Sequence, residues 1–405
     1  MLKIKLVKLN AIESIFYSCI CILALIPAIE IPIFSYFDEL LAVISIFYLV
    51  KKIGLVRKNI IILKILYMLL IMLCLGFFSN ITSGVHQNVF AVLVDAFGVI
   101  KNHIIFLAAL LCIKDETKEK VIRALSPVAK LFVLVSFVCA IINLFVNTSW
   151  SYDVRYGIRS FQFFFNNPAA LAQALIVCVA VFDNNSLSFS FSKIAAFIVM
   201  ILTLRSGILA IVAIYFFVYF FFNKTKSVHW YHITLLAIIA LTVGWGMINE
   251  YFISKNTLRY LMLSTGFLVT LKYFPLGAGF ATFGSQMSYT YYSPLYYEYG
   301  FDNVWGFNAD NGNYINDNYW PMVMAQIGIL GMIANIYMLV MEFKLVNGRG
   351  RKNCLRIISI SIFINLMIST LVSANLTGVS GTIMYFVLAF LLTSNNTKIG
   401  GIEGK

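Results

Sequence analysis

The stretch NIIILKILYMLLIMLCLGFF, residues 59–78, decides the fold. It is apolar from end to end apart from Asn59 and Lys64. At about 1.5 Å per residue, roughly 20 such residues cross a hydrocarbon layer about 30 Å thick. Working outward, the same pattern recurs near 12–29, 39–50, 89–113, 129–147, 168–183, 192–204, 206–222, 231–247, 320–343, 355–374 and 380–394. The expected fold is therefore an all-α, polytopic integral membrane protein with about 12 transmembrane helices. The stretch at 12–29 is too long and too continuous with the rest for a cleaved signal peptide.

Composition agrees. Of the 405 residues, 61% are apolar and 12% charged. A soluble globular chain has about 45–50% apolar and about 25% charged residues. Soluble enzyme, disordered and fibrous classes are excluded. The net charge of +13 would suit a nucleic-acid partner, but its placement argues otherwise. With the N-terminus inside, the outside loops hold only Arg155, Arg159, Arg205, Lys255, Arg259 and Lys272 of the 30 Lys and Arg. Most of the remainder, Lys193 among them, fall inside, as positive-inside topology requires. Both termini are expected in the cytoplasm, with no nucleic-acid partner. None of the seven cysteines falls in an outside loop, so no disulfide framework is expected.

Three regions follow: an N-terminal bundle over 1–247, a large outside loop over 248–318, and C-terminal helices with a tail over 319–405. Loops as long as 248–318 are uncommon without a function. This one is rich in tyrosines, with Trp305, the carboxylates Glu298, Asp302, Asp310 and Asp317, and interleaved asparagines. Flat rings beside carboxylates and amides suit a sugar, which offers an apolar face and a rim of hydroxyls. Tyr296, Tyr297, Trp305, Tyr314 and Tyr319 are the expected glycan-binding residues.

The outside arginines are placed singly. Arg155 and Arg159 precede Asn166-Asn167-Pro168, and Arg205 sits between two apolar runs in Thr203-Leu204-Arg205-Ser206-Gly207. An arginine there is costly unless it faces a cavity or a partner. Arg259 opens a run that ends in Pro275-Leu276-Gly277-Ala278-Gly279-Phe280. Guanidinium forks match phosphate oxygens. Convergence of these arginines would make a site for a lipid-linked pyrophosphate. Elsewhere, Asp95 and Lys101 are expected to form an ion pair or bundle-interior contacts, and Glu13 and Glu342 to be solvated at span ends. No zinc-ligand spacing, phosphate-binding glycine loop or nucleophile elbow occurs.

Taken together, four segments resemble those of the O-antigen ligase and polymerase superfamily. They are Asn166–Ala172, Leu202–Gly207, Pro275–Phe280, and Asp317–Trp320 with Ala325–Gly331, in that order. The resemblance spans about half the chain, 150–343. It implies metal-independent, inverting sugar transfer at the periplasmic face of the bacterial inner membrane, without a cofactor. The donor would be an undecaprenyl-pyrophosphate-linked oligosaccharide. Arg159 and Arg205 would hold the pyrophosphate, with Arg259 and Arg155 assisting. Ligases of the superfamily usually carry histidine where this chain has Asp317, which favours a Wzy-type polymerase of surface polysaccharide. Asp317, then Asp310, would orient or deprotonate the acceptor hydroxyl. Asp317 would also suit the cap of the span at 320–343. Implied protein partners are a chain-length regulator and a repeat-unit flippase. A ligase and a lipid-linked oligosaccharide flippase remain as alternatives.

Overall fold

The computed structural model describes residues 36–113, 115–155, 157–183, 189–224, 249, 253–254, 257–348, 353–371 and 373–392. The stretches at 12–29 and 231–247, with Glu13, Cys19, Cys21, His229 and His232, lie outside these residues.

Every other apolar stretch carries a helix. The first five are α1 (Phe37–Lys51), α2 (Ile53–Lys58), α3 (Ile60–Thr82), α4 (Val89–Cys112) and α5 (Asp115–Phe145). After a hairpin come α6 (Pro168–Asp183), α7 (Phe191–Leu202), α8 (Ser206–Lys224) and α9 (Leu258–Lys272). Two short helices, α10 (Gln286–Thr290) and α11 (Pro294–Glu298), precede α12 (Tyr319–Val346), α13 (Asn353–Ser369) and α14 (Val379–Leu392). Among the described residues, four segments are long and apolar enough to cross a membrane: Ile60–Thr82, Val89–Cys112, Lys118–Phe145 and Tyr319–Val346. Shorter apolar helices form much of the rest. The chain is thus a mostly helical membrane protein.

Local chemistry sets several boundaries. Asn59 caps α3 by accepting from the amides of Ile61 and Ile62 at 3.1 and 3.2 Å. Asn167 accepts from Ala170 at 2.8 Å and Pro168 opens α6, where a missing N–H costs nothing. Helix α5 starts well before the apolar stretch at 129, because its first turns are charged and hydropathy does not register them.

The core forms where α12 lies along α3, α13 along α8 and α14 along α4, with α9 against α12. Several charged groups inside it are paired, as a low-dielectric interior favours. Asp95 and Lys101 do not pair with each other. Lys101 reaches Asp38 and Glu39 at 2.6 and 2.9 Å. Lys193, expected in a loop, is buried on α7 against Asp183, which also accepts from Tyr215 at 2.7 Å. Glu342 is not solvated: it is fully buried on α12. Its two oxygens meet His103 Nδ1 at 2.8 Å and the Tyr385 hydroxyl at 2.6 Å. A carboxylate near the basic end of a helix looks solvated in sequence, but His103 of α4 and Tyr385 of α14 close over it.

Among the described residues, the fold departs from all-α at one place. Strands β1 (Ser151–Arg155) and β2 (Ile158–Phe161) pair antiparallel, with Gly157 in the left-handed region at φ 76°.

Candidate functional site

The hairpin rests on aromatic packing. Phe161 and Phe165 are buried beneath it, and Phe163 stacks on Phe161 with Trp150 against its edge. This fixes β1 and β2 against the turn between α7 and α8. Ser160 Oγ donates to the Thr203 carbonyl at 2.8 Å, and Thr203 Oγ1 donates to Met200 at 2.6 Å. Leu204 then adopts φ 52°, a conformation that bulky residues avoid. The bend delivers Arg205 to the start of α8, where its carbonyl accepts from the amides of Ile208 and Leu209, both at 2.9 Å.

Three charged side chains meet there. The Arg205 guanidinium stacks on the Tyr152 ring, 4.8 Å from its centre. Its Nε is buried and finds no hydrogen-bond partner among the described residues. Arg155 Nε donates to Asp153 at 2.8 Å. Burial pushes the Asp153 carboxyl up, but Arg155, Ser160 and Arg205 outweigh it and hold the group below its ordinary 3.8. Arg159 stands across the ladder from Val154 and so shares the face of Val154, while Asp153 and Arg155, one residue to either side, point the other way. The positive end of α8 adds to this field. Arg205 is thereby brought to the hairpin that carries Arg155 and Arg159, some 46–50 residues before it in the chain.

Arg259 and Asp317 form a separate pair. Arg259 lies in the first turn of α9, and its guanidinium donates to Asp317 at 3.3 Å, both side chains being about a quarter exposed (23% and 28%). Burial raises the Asp317 carboxyl above 3.8, against the opposing pull of Arg259. Asp317 is not the cap of α12. Asn318 holds that position and makes no side-chain cap bond there, and Asp317 is turned toward Arg259 on α9.

The segment Pro275–Phe280 is clamped between two helices. From the end of α3, Ser79 and Ser83 donate to the carbonyls of Leu276 and Ala278 at 2.7 and 2.8 Å. Asn80 donates to the Phe280 carbonyl at 2.9 Å and accepts its amide at 2.8 Å. From the other side, α12 breaks at Gly328, φ 64°, and frees backbone groups. Ala325 and Gln326 carbonyls accept from Ala278 and Gly279 at 2.7 and 2.8 Å. Asp95 accepts from the Ala281 amide and from Gln326 at 2.6 and 2.8 Å. The glycines are required: a Cβ on Gly277 would lie 2.5 Å from the Gly328 nitrogen.

Beyond this clamp the chain folds on its own small core, with Phe283, Leu295, Phe301, Phe307 and Ile315 buried. Tyr296 belongs to that core. Its hydroxyl accepts from the Gly284 amide at 2.8 Å and meets Ser288 Oγ at 2.6 Å. Tyr319 is buried too, donating to Asn335 at 3.0 Å within α12. These two hold structure and offer no face to a ligand. Trp305, Tyr297 and Tyr314 stay exposed, at 66%, 60% and 38%, and Trp305 and Tyr314 lie tilted to one another with ring centres 5.8 Å apart. Asp310 is exposed in a turn held by Asn308.

Sequence reading missed Asp153, Tyr152 and the Ser79-Asn80 clamp. The alternation Tyr152-Asp153-Val154-Arg155 ahead of a glycine was the signal for the hairpin. Among the described residues, no group of three or more His, Cys, Asp or Glu could hold a metal ion. Compared with known proteins, the chain matches no family model and no curated protein.

Proposed function

We propose that the chain is a glycosyltransferase that joins undecaprenyl-pyrophosphate-linked oligosaccharide repeats into a surface polysaccharide. In this reading it crosses the bacterial inner membrane about 12 times, and the hairpin and the 248–318 region face the periplasm. One observation carries the proposal. Arg205 is stacked on Tyr152 with its Nε unpartnered among the described residues, at the positive end of a helix and against the hairpin that carries Arg155 and Arg159. Such an arrangement suits a pyrophosphate, whose oxygens take guanidinium forks and helix-end amides.

The chemistry needs a stabilised leaving group and a nucleophile. The acceptor hydroxyl oxygen forms a bond to the anomeric carbon of the donor. The bond from that carbon to the pyrophosphate oxygen breaks, and its electron pair leaves with the pyrophosphate. Arg155, Arg159 and Arg205 neutralise the charge that develops there. The hydroxyl proton passes to the Asp317 carboxylate, which Arg259 orients. Trp305 and Tyr314 offer rings on which a sugar can stack.

The test is a surface-glycan gel of a strain lacking the chain, with wild type or Arg205→Ala restored. Loss of the ladder with a core-plus-one-repeat band, and a fall of about 100-fold or more in long chains with Arg205→Ala, is expected. Long chains accumulating on the lipid carrier would instead mean a ligase. Single repeats trapped on the cytoplasmic side would mean a flippase. An unchanged ladder with Arg205→Ala at normal expression overturns the pyrophosphate role.

A further inference from the structure

We infer that Asp153 is an electrostatic counterweight in the arginine cluster, which weakens the hold on the diphosphate product so that it can leave. The inference rests on the pyrophosphate reading of that cluster. Its grounds are geometric. Asp153 binds Arg155 Nε at 2.8 Å through Oδ2, while its Oδ1 is buried and unpartnered among the described residues. The Arg205 Nε is buried and unpartnered in the same sense. A donor and an acceptor of opposite charge thus share one small region without satisfying each other, because Tyr152 and the Thr203–Arg205 bend fix the guanidinium. An anion that takes the arginines must enter beside a carboxylate.

The consequence follows from charge. The donor carries a diphosphate esterified at both ends, with two negative charges. When the anomeric bond breaks, the departing diphosphate gains a terminal oxygen and, near neutral pH, up to one further charge. Arginines alone would therefore hold the product more tightly than the donor. Coulomb energy scales with the ligand's charge, so a fixed carboxylate subtracts more from the product's binding than from the donor's. Asp153 brings the two affinities closer and lets the site turn over.

The experiment uses the full chain in lipid nanodiscs, with farnesyl diphosphate as the product probe and its terminal methyl ester as the donor probe. Affinities are measured by calorimetry for wild type, Asp153→Asn, Asp153→Glu and Arg205→Ala, with thermal melts to confirm folding. Asp153→Asn is expected to tighten farnesyl diphosphate by about tenfold, a partly screened single-charge effect, and the methyl ester by less. Asp153→Glu is expected to restore values near wild type. Asp153→Ser serves if the asparagine variant does not fold. If wild type binds the diphosphate and removing the carboxylate leaves both affinities unchanged or weaker, the counterweight is overturned while the pyrophosphate site stands. If wild type and Arg205→Ala bind the diphosphate equally, or neither binds it, the underlying reading fails and the counterweight falls with it.

Discussion

Asp317 is the carboxylate in the candidate site whose protonation has a direction worth testing. Burial lifts it above 3.8 and Arg259 pulls it back. A proton-accepting Asp317 works only when ionised, so transfer should rise with pH through its elevated folded value. Asp317→Asn should abolish that limb together with most of the rate. Arg259→Ala removes the lowering partner, so the limb should move to higher pH. A pH–rate profile of purified protein on a lipid-linked donor checks both, and a limb unmoved by Arg259→Ala would place the base elsewhere. Stability carries the opposite sign. Between 3.8 and the folded value the native state binds more protons than the unfolded one, so Asp317 makes the fold less stable as pH rises through that window. At this scale the sequence was informative about arginines, because a cation beside apolar runs stands out. It hid Asp153 and the burial of Tyr296 and Tyr319, because accessibility depends on what folds over a residue.

Among the elements, the broken helix α12 and the clamped Pro275–Phe280 segment depend on each other. The break frees the Ala325 and Gln326 carbonyls, and Ala278 and Gly279 occupy them. Gly277 has φ 84° and no room for a Cβ. Gly277→Ala should therefore abolish accumulation of folded protein, whereas Gly54→Ala, where nothing lies within 4 Å, should be neutral or slightly stabilising. Fluorescence-detected size exclusion of tagged variants reads both. Helices were legible in sequence because a bilayer allows little else to span it. The hairpin was not, since four or five residues of alternation beside long apolar runs give a weak signal. The clamp was visible only as a glycine-rich string, and its partners lie some 195–200 residues away.

For the whole molecule, the placement of positive charge sets the expected orientation. Cysteine substituted at Asn303 should react with a membrane-impermeant reagent once the outer membrane is permeabilised. Cysteine at Lys52 should react only with reagents that enter the cytoplasm. The reverse pattern would overturn the topology. The buried contact of His103 with Glu342 has a consequence for how the chain is made. The two residues are separated by 239 positions. At about 5–20 residues per second, translation separates them by roughly 10 to 50 seconds. For that interval α4 has emerged with its imidazole and its Lys101, while the carboxylate that His103 meets is still unsynthesised. Early helices must wait, in the translocon or beside an insertase, for late ones to arrive, so assembly of this protein is set by the order of synthesis as much as by the final contacts.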